Sequence, residues 1–147
     1  VLPERAVSLH PNFVTANGLA QIEERVRALE AVRSAAREAA RDGAAAQDAA
    51  ALAAIERDLR YWMQRKASAR LVTPAPDPQV VRFGVAVTLH DTEGATRVLR
   101  IVGEDEADPA HGLISWVSPA AEALIGARVA DEVTVAGQRY EIGLLAP

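Results

Sequence analysis

The chain has no cysteine among its 147 residues, which excludes a disulfide framework and a thiolate metal site and makes a reducing cytoplasm the expected compartment. Aromatic residues make up only 4% of it, although half of it is apolar. Alanine supplies much of that apolar half. It favours helix and buries little area per residue, so one modest core plus thin helical packing is expected instead of a thick globular interior. No apolar run approaches the roughly 18 residues a membrane span requires, and the first residues lack the apolar stretch of a signal peptide, so no membrane partner is expected. Val1 stands where a native start carries Met, so further native residues are expected ahead of it.

Charge is divided unevenly. Residues 1–75 carry 11 Lys+Arg against 9 Asp+Glu, whereas residues 76–147 carry 5 against 11. A weakly basic half and a strongly acidic half point either to two surfaces with different partners or to ordinary solubilising charge.

Residues 1–13 contain Pro3 and Pro11 and no sustained period, and are expected as an extended leader. Thr15 then stands at an N-cap position, followed by Leu19, Ile22, Val26 and Leu29 at helical spacing, a seam that fades into Val32, Ala36 and Ala40. Leu52, Ile55, Leu59 and Trp62 repeat that spacing, with Gly43 as the breaker between the two seams. One continuous helix is the alternative, since a single glycine costs only about 1 kcal/mol. An antiparallel coiled-coil hairpin over 14–73 is preferred because neither narrow stripe is buried without a partner.

Three alternating prolines, Pro74, Pro76 and Pro78, bar a helix and mark 74–80 as a linker. Beyond it, strand-like alternation recurs at Val85–Leu89, Val98–Val102, Leu113–Trp116, Val133–Val135 and Tyr140–Leu144. The turn Asp91–Gly94 and the short connection Ala136–Gln138 separate these runs, and one short helix, Pro119–Ile125, starts at a Ser118 cap and stops at Gly126. The expected class is α+β: a helical hairpin followed, over 81–147, by a small, mostly antiparallel sheet carrying one helix.

The most informative string is Ile101-Val102-Gly103-Glu104-Asp105-Glu106-Ala107-Asp108, then Ile114-Ser115, then Ser118-Pro119-Ala120-Ala121-Glu122-Ala123-Leu124-Ile125-Gly126. In this order it resembles the C-terminal domain of the Gre-type transcript cleavage factors, the GreA/GreB family. Phe13-Val14-Thr15-Ala16-Asn17-Gly18-Leu19 is similar to that family's approach to its first coil helix, and Ile55–Tyr61 resembles the GreB-like second arm. The resemblance implies an FKBP-like C-terminal domain that binds core bacterial RNA polymerase at the rim of its secondary channel. It also implies a hairpin pointed toward the active centre, in indirect contact with nascent RNA. Such a factor is a cytoplasmic, monomeric accessory protein, not an enzyme. It holds no cofactor of its own, and Mg²⁺ enters only in the polymerase active site.

The family's hairpin tip reads Gly-Asp-x-x-Glu-Asn. With Gly43 aligned to its glycine, Ala44 falls at the Asp, Gln47 at the Glu and Asp48 at the Asn. Alanine offers no ligand and glutamine only a neutral oxygen, so weak or absent stimulation of RNA cleavage is expected. Members of the family also take about ten more residues in the hairpin, a shortening here of roughly 7 Å per arm at about 1.5 Å per residue. Asp42 and Asp48 are the remaining candidates for a Mg²⁺ contact, or else plain helix-capping aspartates in a solvated turn. For polymerase binding the resemblance implies Ser118, Pro119 and Ala120 with the acidic turn Glu104, Asp105 and Glu106. Arg57, Arg60, Arg65 and Lys66 form a candidate stripe toward RNA or the channel, or a solvated face paired with Glu56 and Asp58. An FKBP-like sheet also raises a peptidyl-prolyl isomerase reading, for which Phe83, Trp116 and Tyr140 are the aromatics at hand.

Overall fold

A narrow apolar stripe on a long helix stays wet unless another helix covers it. The computed structural model describes residues 2–42 and 46–147, and in it the two alanine-rich segments are the helices α1 (Ala16–Arg41) and α2 (Ala46–Ser68). Two compact units are present: Val1–Asn12 with Leu19–Ala69, and Phe13–Gly18 with Arg70–Pro147. The expected turn at Gly43 and the tip position Ala44 lie outside the described residues, as does the side chain of Gln47.

In the first unit α1 and α2 run antiparallel. Arg37 Nη2 lies 3.1 Å from Glu56 Oε1, and the Arg25 guanidinium lies 5.2 Å from the Trp62 ring centre, so partner numbers rise on one helix as they fall on the other. The α1 seam is Leu19, Ile22, Val26, Leu29, Arg33, Ala36 and Ala40, all buried or half-buried. This corrects the expected course through Val32, which is 48% exposed. A heptad alternates steps of three and four, so the residue after Leu29 is Arg33, a half-buried position that a long side chain can fill with its stem. On α2, Leu52, Ile55, Leu59 and Trp62 follow their expected seam.

Residues 3–12 form no helix or strand, yet they are tied to α2. Arg60 Nη2 reaches Glu4 Oε1 at 2.6 Å, Arg5 Nη1 lies 3.5 Å from Asp58, and the Arg5 guanidinium sits 3.9 Å over the Tyr61 ring. The stretch expected as an extended leader thus has a buried anchor near its end, Asn12.

The second unit holds β1 (Phe13–Val14), β2 (Arg70–Leu71), β3 (Ala86–Asp91), β4 (Thr96–Val102), β5 (Leu113–Ser115), the short helix α3 (Pro119–Leu124), β6 (Glu132–Val135) and β7 (Gln138–Ala146). β1 and β2 form a small parallel pair that the sequence pattern did not announce. The main sheet has the order β5-β4-β3-β7-β6. Alternation places Val87 and Leu89 of β3, Leu99 and Ile101 of β4 and Ile142 of β7 in the core, which Ala121 and Leu124 of α3 cover. The β6–β7 turn carries positive φ at both Ala136 (51°) and Gly137 (80°), the geometry that matches a tight hairpin to strand twist.

The main sheet is mostly antiparallel, as expected, and its parallel pairing is that of β4 with β5. The proline segment 74–80 is not a free linker: it belongs to this unit, Pro78 is buried, and the Pro74 ring stands 3.1 Å from where a Cβ on Gly84 would be.

Candidate functional site

The parallel pairing of β4 and β5 decides where the two motif loops emerge. Val102 faces Ser115 in register, and the Trp116 amide donates to the Val102 carbonyl at 2.9 Å. The acidic turn begins just after Val102 and the Ser118 loop just after Ser115, so both leave the sheet at the same end. Strands lying parallel put their C-terminal ends together, which an antiparallel pair would not do.

Within the acidic turn the residues divide their work. Gly103 is buried against β1, and a Cβ there would collide with the Phe13 carbonyl. Glu104 and Asp105 are half-buried. Glu106 turns inward and is only 8% exposed: Thr15 Oγ1 donates to its Oε1 at 2.6 Å and Asn17 Nδ2 to its Oε2 at 2.9 Å. The same Thr15 oxygen accepts the Gly18 amide at 2.9 Å, capping the first turn of α1. A carboxylate beside the N-terminal amides of a helix also meets the positive end of the helix dipole. Glu106 is therefore a structural anchor and leaves the set of residues expected to face polymerase. Sequence reading found Thr15 as a cap but not Asn17 or this role of Glu106.

Ser118 caps α3 as its position predicts. Its Oγ accepts the Ala121 amide at 3.2 Å and donates to the Ser115 carbonyl at 2.7 Å. Pro119 is exposed at the first helical position, while Ala120 packs partly against the core. Beside this loop, Trp116 and Phe83 lie 5.0 and 6.0 Å, ring centre to ring centre, from Phe13. These aromatics, with Pro74, Pro78 and Ile125, line a cleft of about 620 Å³. Tyr140, the third aromatic at hand for such a pocket, is buried in the core.

The candidate stripe on α2 is divided among different surroundings, and the Arg57–Asp58 pair follows the paired-face alternative. Arg65 is 2% exposed and donates to Asn12 Oδ1 at 2.8 Å, so it is no surface ligand for phosphate. Arg60 is occupied by Glu4; their hydrogen bond holds the Glu4 carboxyl below its ordinary pKa and raises that of Arg60. Arg57 is half-buried, 3.4 Å from Asp58. Lys66 is exposed. At the other end of the unit, Asp42 is exposed just past α1, and Asp48 is exposed in the first turn of α2, where a carboxylate suits the helix dipole. Among the described residues no three His, Asp or Glu side chains are grouped as a metal site, and no helix is long and apolar enough to cross a membrane.

Comparison with known proteins supplies the family. The profile of "Transcription elongation factor, GreA/GreB, C-term" matches residues 75–143, the stretch that holds both loops. Transcription elongation factor GreA of Desulfovibrio desulfuricans is 32% identical over 136 residues, covering 83% of each protein. Transcription elongation factor GreB of Yersinia pestis is 43% identical over 82 residues, 55% of this chain and 48% of that protein, so the match spans about half of that relative's length. The crystal structure of GreA factor homolog 1 of Thermus thermophilus aligns with a TM-score of 0.45 at 17% identity, covering 94% of this chain and all of that one. Both motif loops lie inside the matched profile, and the similarity to the Desulfovibrio GreA extends over 83% of each protein; the chain belongs to the GreA/GreB family of transcription elongation factors.

Proposed function

We propose that this protein binds core bacterial RNA polymerase at the rim of its secondary channel and modulates elongation by occupying that channel. The observation that carries this reading is the Val102–Ser115 pairing, which delivers the acidic turn and the Ser118–Pro119 helix start from one end of the sheet as a single docking face. Glu104, Asp105, Ser118 and Pro119 are its contact residues. On the hairpin, Lys66 is the exposed member of the basic stripe left to meet channel phosphates or nascent RNA. The protein works as a monomer in the cytoplasm, without a bound cofactor.

Its tip sets it apart from a cleavage factor. Ala44 has no donor atom and Gln47 no charge, so the residues present do not fit a grip on the catalytic Mg²⁺, which favours charged oxygen ligands. The factor is thus an accessory protein with weak or no stimulation of RNA cleavage. The competing reading, in which Asp42 or Asp48 serves cleavage, is separated by backtracked elongation complexes. No RNA shortening above the polymerase's own rate supports our reading, whereas shortening that disappears in an Asp42→Ala, Asp48→Ala double variant overturns it. Capture of core polymerase by the wild-type protein, lost with Ser118→Glu, tests the docking face.

The Phe13, Phe83 and Trp116 cleft supports a second, remoter reading as a peptidyl-prolyl isomerase-like binding module. A proline-peptide isomerisation assay decides it.

A further inference from the structure

We infer that Glu106 is a positioning residue: it makes the acidic turn the socket for the first turn of α1, so the loop that docks also holds the start of the helix that acts. This rests on the proposed channel function.

The socket closes on the chain at both of its ends. Gly103 opens it, lying so near the Phe13 carbonyl that no side chain fits there. Glu106 closes it, with one carboxylate oxygen on the Thr15 hydroxyl and the other on the Asn17 amide. The Glu106 amide donates to the Gly103 carbonyl at 3.2 Å, so the two ends belong to one turn. Gly18 completes the fit, because a Cβ on it would stand 2.7 Å from Glu106 Oε1. A buried carboxylate with two side-chain donors is a stronger and more directional tie than a surface ion pair. Glu104 and Asp105, the candidate contact residues, are the two residues between those ends. A partner seated on them therefore presses on a turn whose other members grip α1.

The test compares Glu106→Gln with the wild type. Gln keeps the size but offers one acceptor and one donor in place of two acceptors, so only one of the two hydrogens now donated, by Thr15 and by Asn17, still finds an acceptor on it. Asn17→Ala is the second variant; Asn17 is exposed and Ala is a good helix former, so this variant folds even if Glu106→Gln does not. Amide exchange at Gly18 should speed up about tenfold, with Leu89 and Ile101 unchanged. The apparent dissociation constant for core polymerase should stay within about threefold, because the contact residues are intact, while the effect on elongation at saturating factor falls about tenfold for Glu106→Gln and less for Asn17→Ala.

Unchanged Gly18 exchange overturns the socket. So does a saturating effect equal to that of the wild type, or a loss confined to affinity, which would mark Glu106 as a plain contact. A wild-type protein without affinity for polymerase refutes the channel function itself, a result read in the same assay before any variant is compared.

Discussion

Arg65 and Asn12 hold each other reciprocally: the guanidinium donates to Asn12 Oδ1 at 2.8 Å, and the Asn12 amide donates back to the Arg65 carbonyl at 2.7 Å. Asn12 Nδ2 also reaches Ser68 Oγ at 3.1 Å. Both residues are buried, so removing either strands polar groups away from water. Arg65→Ala should lower stability by about 3 kcal/mol and Asn12→Ala by about 2, read as a fall in the urea midpoint. Arg65→Lys should recover little, since an ammonium lacks the planar fork. An Arg65→Ala protein of normal stability but weaker RNA affinity would show Arg65 to be a surface contact and not a buried anchor.

Gly18 inverts a usual rule. A helix glycine replaced by alanine ordinarily gains about 1 kcal/mol, but Gly18 is buried and the new methyl would meet the Glu106 carboxylate. Gly18→Ala should cost about 1 kcal/mol in the wild type and gain a similar amount in a Glu106→Ala background. Thermal unfolding of the four proteins closes the cycle, and additive effects would count against the contact.

Ser118 carries two roles that one pair of variants separates. Ser118→Ala loses the cap and should cost about 1 kcal/mol. Ser118→Thr keeps the hydroxyl that accepts from Ala121 and donates to Ser115, so its stability should remain within about 0.5 kcal/mol of wild type. If the residue also touches polymerase, the added methyl weakens binding without changing the melting temperature. Equal binding by Ser118→Thr would confine Ser118 to capping.

Glu4 gives a pH-dependent reading of the chain that precedes the anchor. Arg60 donates to its carboxylate and holds its pKa down, so the pair contributes above the ordinary glutamate range and loses its contribution as pH falls through the lowered value. Because Glu4 is fully exposed, the effect belongs to local order and not to global stability. An NMR titration of Glu4 should show its midpoint rising in Arg60→Ala; no change would mean the pair does not persist in solution.

Periodicity carried much of the fold. Both helices, the strands of the main sheet and the capped α3 were legible because each obeys a local rule of spacing or capping within a few residues. What escaped was set by partners far along the chain. Arg65 reads as surface charge until Asn12, 53 residues away, supplies a buried acceptor, and Glu106 reads as part of an acidic surface until Thr15, 91 residues away, turns it inward. Val32 lies off the seam for a narrower reason: it is the apolar residue nearest the next turn of an alanine-rich helix, but the heptad step falls on Arg33. The parallel β4–β5 pairing was hidden as well, since a strand of three residues carries almost no directional signal. The candidate site was accordingly legible as a set of motifs and illegible in its division between contact and support.

The sheet that gathers both motif loops at one end leaves its opposite end free for measurement. The β3–β4 turn and the β6–β7 turn lie there, and Thr92 in the former is exposed. In a chain without cysteine, Thr92→Cys would install a unique thiol, so a single fluorophore could test the proposed binding to polymerase while leaving untouched the proposed docking surface.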